Sequence, residues 1–152
     1  TELHDLSLKD KDNNPYKLIR INDNIRKKRI KDTLISLKYL NGGAMQTTNM
    51  ADVTPKFIIL CITTCGNHPF SHIVGQDNGG YFELKIEALK EVLIEFKDKI
   101  KGNIYIGIRK GFIDEYKSDL EKMIKESNIN NVLIKPLNEA IDSYCGEIDN
   151  YL

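Results

Sequence analysis

Apolar residues recur along this chain with two distinct periods. Ile104, Ile106 and Ile108 alternate with polar or small residues, which predicts a strand over 103–108 with one isoleucine-lined face. Lys56 to Thr64 is nearly continuous in apolar residues and predicts a strand buried on both faces, at the centre of a sheet. Ile86, Leu89, Leu93, Phe96 and Ile100 instead recur at helical spacing and predict an amphipathic helix over 86–100. Ile30, Leu34, Leu37 and Tyr39 or Leu40 do the same for a helix that Asp23 would cap and that runs to about Leu40. Asp114–Glu126 predicts a helix, Val132–Ile134 a short strand, and Pro136 opens a last helix at a position that tolerates proline. Residues 3–9 and 16–21 predict two short strands around Lys11-Asp12-Asn13-Asn14-Pro15. Phe70–Val74 and Tyr81–Leu84 flank Gln76-Asp77-Asn78-Gly79-Gly80, a hairpin turn. These elements make residues 1–152 one α+β domain, a mainly antiparallel sheet backed by helices.

The composition suits that picture. A chain of 152 residues with 41% hydrophobic and 29% charged residues can bury a core of its own. No apolar run approaches the ~20 residues of a membrane helix, so no membrane is expected as a partner. Three cysteines are too few for a disulfide framework, and a cytoplasmic setting is the expectation. The net charge is zero, yet residues 1–56 hold 11 Lys+Arg against 7 Asp+Glu, and residues 57–152 hold 11 against 15. The basic excess is densest at Arg26-Lys27-Lys28-Arg29-Ile30-Lys31. Arg26, Lys27 and Arg29 are therefore candidates for contact with an anionic partner, the alternative being a solvated helix face.

Candidate catalytic chemistry is thin. Cys61-x3-Cys65-x2-His68-x3-His72 offers four possible zinc ligands, but Cys61 falls within an apolar strand and the spacing departs from the common pair of cysteines two residues apart. Cys65 with His68 as a nucleophile and base lacks an orienting third group. Gly75-x3-Gly79-Gly80-Tyr81 has neither the Lys nor the Ser/Thr of a phosphate loop. Asp114, Glu115, Asp119 and Glu121 read as a solvated helix face. Tyr105-Ile106-Gly107-Ile108-Arg109-Lys110-Gly111-Phe112 has the residue types of an RNA-recognition strand without their order, and reads first as a core strand leaving into a basic turn. No cofactor is implied. A small metal- or cysteine-dependent enzyme built on Cys61, Cys65, His68 and His72 is the enzymatic alternative, and a fragment that only binds other proteins is a third.

The most informative segment is Leu40-Asn41-Gly42-Gly43-Ala44-Met45-Gln46-Thr47-Thr48, followed by Ala51-Asp52-Val53-Thr54-Pro55. Two glycines end a helix and permit close backbone approach. The polar, nearly uncharged loop after them suits a sugar-phosphate backbone better than it suits acid–base chemistry.

Together with Gly66-Asn67-His68-Pro69-Phe70, these segments resemble the DevR-like autoregulator family of CRISPR-associated proteins, over about Ile25 to Tyr116. Glu87-Ala88-Leu89-Lys90, Tyr105-Ile106-Gly107 and Gly111-Phe112 follow in a similar order. The resemblance implies the repeated guide-RNA-binding backbone subunit of type I, I-B-like, Cascade, and an RNA-recognition-motif-like (ferredoxin-like) sheet. It also implies that this chain is the C-terminal portion of a longer subunit, incomplete on its N-terminal side. The implied partners are guide RNA, copies of the subunit in a filament, other Cascade subunits, and target DNA reached through the guide. Catalysis is not part of that role. Gly42, Gly43, Ala44, Gln46 and Thr47 carry over as the RNA-facing loop, and Asn67, His68 and Phe70 as a family turn. Arg26, Lys27 and Arg29 come from charge, not from the family.

Overall fold

A computed structural model of the chain describes residues 22–40, 53–66, 68–127 and 129–151. The strands expected over 3–9 and 16–21 lie outside these residues. In order, the elements are α1 (Asp23–Ser36) with a 3-10 turn at Leu37–Tyr39, β1 (Phe57–Thr63), β2 (Val74–Gln76), β3 (Phe82–Leu84), α2 (Ile86–Glu95), β4 (Ile100–Ile108), α3 (Asp114–Glu126), β5 (Val132–Pro136) and α4 (Leu137–Glu147), with a final 3-10 turn at Ile148–Asn150.

β1, β4 and β5 form one sheet in the order β1-β4-β5, and β2 and β3 form a separate antiparallel pair. β1 runs antiparallel to β4, from Phe57 opposite Ile108 to Thr63 opposite Ile100. β5 runs parallel to β4, from Val132 beside Ile104 to Pro136 beside Ile108. Among the described residues the three-stranded sheet is therefore mixed rather than mainly antiparallel. The cause is α3, which carries the chain back along the sheet so that β5 re-enters in the direction of β4.

The period-two pattern sorts the side chains onto two faces. Phe57, Ile59 and Cys61 of β1, Ile104, Ile106 and Ile108 of β4, and Ile134 of β5 face a core shared with Leu89 and Leu93 of α2 and Leu120 and Met123 of α3. Leu60, Ile62, Tyr105 and Leu133 face Ala140, Tyr144 and Ile148 on the other side. Ile58 and Leu60 meet Leu137, Ile141 and Cys145 of α4, against which Leu34 and Leu37 of the α1 region pack. Helices thus cover both sheet faces. Gly107 makes the α4 side possible: a Cβ there would lie 2.7 Å from Ile58 Cγ2 and 3.0 Å from Ala140 Cβ. The hairpin closes one end of the α2–α3 core, Phe82 lying 5.2 Å from Phe112 and 6.5 Å from Phe57 between ring centroids. Its turn is held by Asp77, whose Oδ1 accepts the amides of Gly79 and Tyr81, each at 2.8 Å.

β4, not β1, is the central strand among the described residues. Its last five residues are all buried, whereas every residue of β1 is only half-buried. A run of isoleucines signals burial on two faces, and helices supply that burial even at a sheet edge. Other boundaries shift as well. Asn22 caps α1, its side-chain oxygen accepting the Asn24 amide at 2.9 Å. The periodicity of 86–100 is broken after Phe96 by a turn that hands Ile100 to β4.

β4 also bulges. Leu60 and Ile62 are two residues apart but pair with Tyr105 and Lys101, four apart. Gly102 sits in the bulge at φ +70°, beside Glu147 and Tyr151. The Glu147 carboxylate accepts Asn103 N at 3.0 Å, Asn103 Nδ2 at 2.9 Å, Tyr105 Oη at 2.5 Å and Tyr151 Oη at 3.3 Å. Burial pushes this carboxyl up, but the hydrogen bonds outweigh it and hold it below the ordinary carboxylate range. The cluster pins the end of α4 to the bulge.

Candidate nucleic-acid interface

The strand directions bring three separated stretches of chain to one edge of the sheet. Because Phe57 pairs with Ile108 and Ile108 with Pro136, the start of β1 and the ends of β4 and β5 lie side by side. Lys56 precedes β1, Arg109 and Lys110 follow β4, and Lys135 lies one residue before the end of β5. Lys117 adds a fifth cation from the first turn of α3. The backbone is tied across this edge, Arg109 N donating to Lys56 O at 2.8 Å. The acids contributed by the same stretches are Asp114, Glu115 and Glu139.

These cations are not equivalent. Lys56 Nζ donates to Thr54 Oγ1 at 3.3 Å. Lys135 Nζ turns to the α4 face, donating to Ser143 Oγ at 2.8 Å and lying 5.8 Å from the Tyr105 ring centroid. Arg109 keeps a buried Nε without a hydrogen-bond partner among the described residues. Lys110 and Lys117 are exposed. A crevice of about 350 Å³ opens between them, lined by Ile108, Ile134, Pro136, Asp114 and Lys135 as well. Both oxygens of Asp114 face the Gly111 amide, at 3.2 and 3.1 Å, and close the turn that leads into α3.

The sequence-predicted basic run takes a different position. Arg26 pairs with Asp23 at 2.9 Å within α1. Lys27 Nζ donates to Asp149 O at 3.0 Å, and Lys31 pairs with the Asp149 carboxylate at 2.5 Å. Lys38, further along, pairs with Asp142. These pairings make α1 antiparallel to α4 and set Arg26 and Lys27 near the C-terminal end of α4, about 16 Å along that helix from Pro136. Arg29 is exposed on the same helix. Lys31 holds the Asp149 carboxyl below its ordinary range. Lys27 and Lys31, with Lys38 further along, therefore tie one helix to another and are not gathered with the sheet edge.

The turn after β1 does bring its candidates together. A shallow groove of about 310 Å³ is lined by Cys61, Cys65, His68 and Phe70, among others. Phe70 is only 9% exposed and belongs to the core, with the exposed His68 ring edge-on to it at 6.2 Å. Burial, with a smaller contribution from Cys65, pushes the Cys61 thiol up to about 11, which leaves it protonated and a poor nucleophile at neutral pH. His72 is exposed, and no group of three or more His, Cys, Asp or Glu side chains among the described residues is placed to hold a metal ion. Gly42, Gly43, Ala44, Gln46, Thr47 and Asn67 lie outside the described residues.

The sheet-edge cations are what sequence reasoning passed over. Arg109-Lys110 was visible only as a basic turn, while Lys56, Lys117 and Lys135 stand alone in the sequence. The available signal was positional, since three of these stretches sit at strand ends. Comparison with protein-family models, curated proteins and solved structures gives no match. No helix among the described residues is long and apolar enough to cross a membrane. The fold and site define a mixed-sheet α+β protein with a basic strand-end edge.

Proposed function

We propose that this chain is a guide-RNA-binding backbone subunit of the DevR-like, type I CRISPR kind. In this role it holds RNA by its sugar-phosphate backbone and repeats along the guide in an antiviral interference complex. The supporting observation is the sheet edge where Lys56, Arg109, Lys110 and Lys117 converge. Val53-Thr54-Pro55 leads into β1 at this edge, directly after the stretch that carries the family-like loop. Helices cover both sheet faces, so a strand of RNA meets charge at the edge rather than stacking on an open sheet. The finer proposal is an RNA-recognition-motif-like core built around β1, β4 and β5. The subunit performs no chemistry of its own; copies along one guide supply avidity.

The test is a titration of labelled single-stranded RNA between about 50 and 200 mM salt, beside DNA of the same sequence. With about four phosphates neutralised, log affinity falls with log salt at a slope near −3. RNA is preferred, and Gln46→Ala with Thr47→Ala weakens binding. Absence of binding at low salt overturns the proposal. Stoichiometric zinc in the purified protein would instead favour the enzyme built on Cys61, Cys65, His68 and His72.

A further inference from the structure

We infer that the crevice beyond the ends of β4 and β5 seats a single ribonucleotide unit of the bound strand. Lys110 and Lys117 hold its phosphate, and its base lies on Ile108, Ile134 and Pro136. The inference rests on the RNA-binding role and adds to it a defined subsite with an apolar floor.

Three observations carry it. The first is shape: about 350 Å³ is a ligand-sized concavity near the lower end of the 300–1,000 Å³ common for small-molecule sites, suited to one nucleotide rather than a stacked run. The second is position. The crevice lies beyond the carboxyl ends of two adjacent parallel strands, where open sheets with parallel strands leave a gap between the strand ends and the connecting helix. The third is the division of its chemistry. Ile108, Ile134 and Pro136 supply a floor that accepts the face of any base, and Lys110 and Lys117 supply charge at the mouth. Neither lysine has a hydrogen bond or ion pair among the described residues, so both ammonium groups are available to a phosphate. Asp114 is the carboxylate of the crevice, and its oxygens are directed to the Gly111 amide. It disfavours a bare anion, yet it can accept from a ribose hydroxyl or a base amino group. Apolar floor, paired cations and one acceptor match a nucleotide better than inorganic phosphate, which would leave the floor uncovered.

The experiment follows the Ile108 and Ile134 δ1 methyl signals by NMR during titration with a single-stranded RNA, with uridine 5′-monophosphate and with inorganic phosphate. RNA and the nucleotide are expected to shift both methyls through the ring current of the base, while phosphate leaves them in place. Lys110→Ala with Lys117→Ala, both at exposed positions, abolishes the RNA-induced shifts. It also weakens RNA binding at least about tenfold and reduces the salt slope by about 1.4, two phosphates' worth. RNA binding with unmoved methyls overturns the crevice and leaves the RNA-binding role standing. Without RNA binding, that role fails, and the nucleotide titration decides the crevice alone: shifted methyls support it, unmoved methyls overturn it.

Discussion

Two basic regions of this molecule differ in how their charge is arranged and in what the charge touches. On α1, Arg26 to Lys31 are contiguous in sequence, yet Arg26 pairs with Asp23 while Lys27 and Lys31 converge on Asp149. At the strand ends, Lys56, Arg109, Lys110, Lys117 and Lys135 come from four separate elements or their flanks, and Lys110 and Lys117 border an open crevice. Charge density along a chain therefore does not locate an anion site. A lysine held by a carboxylate on its own fold is already neutralised locally, whereas Lys110 and Lys117 are exposed at the mouth of the crevice.

The largest perturbation removes the scaffold common to both regions. Gly107→Ala places a Cβ against Ile58, Ala140 and Leu137 and pushes α4 off the sheet. A loss of about 2–3 kcal/mol in urea unfolding is expected, and a silent substitution would show that α4 docks more loosely than described. Next comes charge reversal at the edge: Lys110→Glu with Lys117→Glu lowers RNA affinity about 100-fold while urea stability stays within about 0.5 kcal/mol of wild type. An unchanged affinity would move the RNA surface elsewhere.

Glu147 tests what holds the far end of α4, where α1 docks. Its carboxyl lies below the ordinary value of 4.5, so its stabilisation is complete above that pH and is lost as pH falls through the lower folded value. Glu147→Gln costs about 1 kcal/mol at neutral pH, an amount limited by partial exposure, and flattens the acid limb of the stability curve below about pH 4.5. A variant that keeps the wild-type acid limb would assign that limb to other carboxylates. The smallest effect belongs to the contiguous run. Lys27→Ala with Lys31→Ala changes RNA affinity less than about threefold and lowers the melting midpoint slightly. A tenfold loss of affinity would erase the contrast between the two regions.

Much of the fold was legible because local patterns carry it. α3 occupies Asp114–Glu126 as its sequence predicts, and Ile104, Ile106 and Ile108 share the α2–α3 face of β4. Pro136 does precede the last helix, and Lys56 to Thr64 contains β1. Less of the candidate site was legible. Phe70 drew notice as part of a family turn and lies in the core. Cys61 drew notice as a possible zinc ligand, and burial pushes its thiol up to about 11. Lys56 and Lys135 gave no signal, since each is a single charge whose neighbours at the sheet edge are distant in sequence.

By itself, the sequence determined where helices and strands form, because backbone propensity, capping and hydrophobic period act over a few residues. It also determined which face of most strands is apolar. Only the tertiary structure decided that β4 is central among the described residues and β5 parallel to it, and that Asp149 meets Lys27 and Lys31 of α1. It alone set Glu147 against Asn103 and Tyr105 in the bulge, and gathered cations from separate stretches beside one crevice. Each of these depends on strand order and helix docking, which join residues tens of positions apart and leave no local pattern from which they can be read.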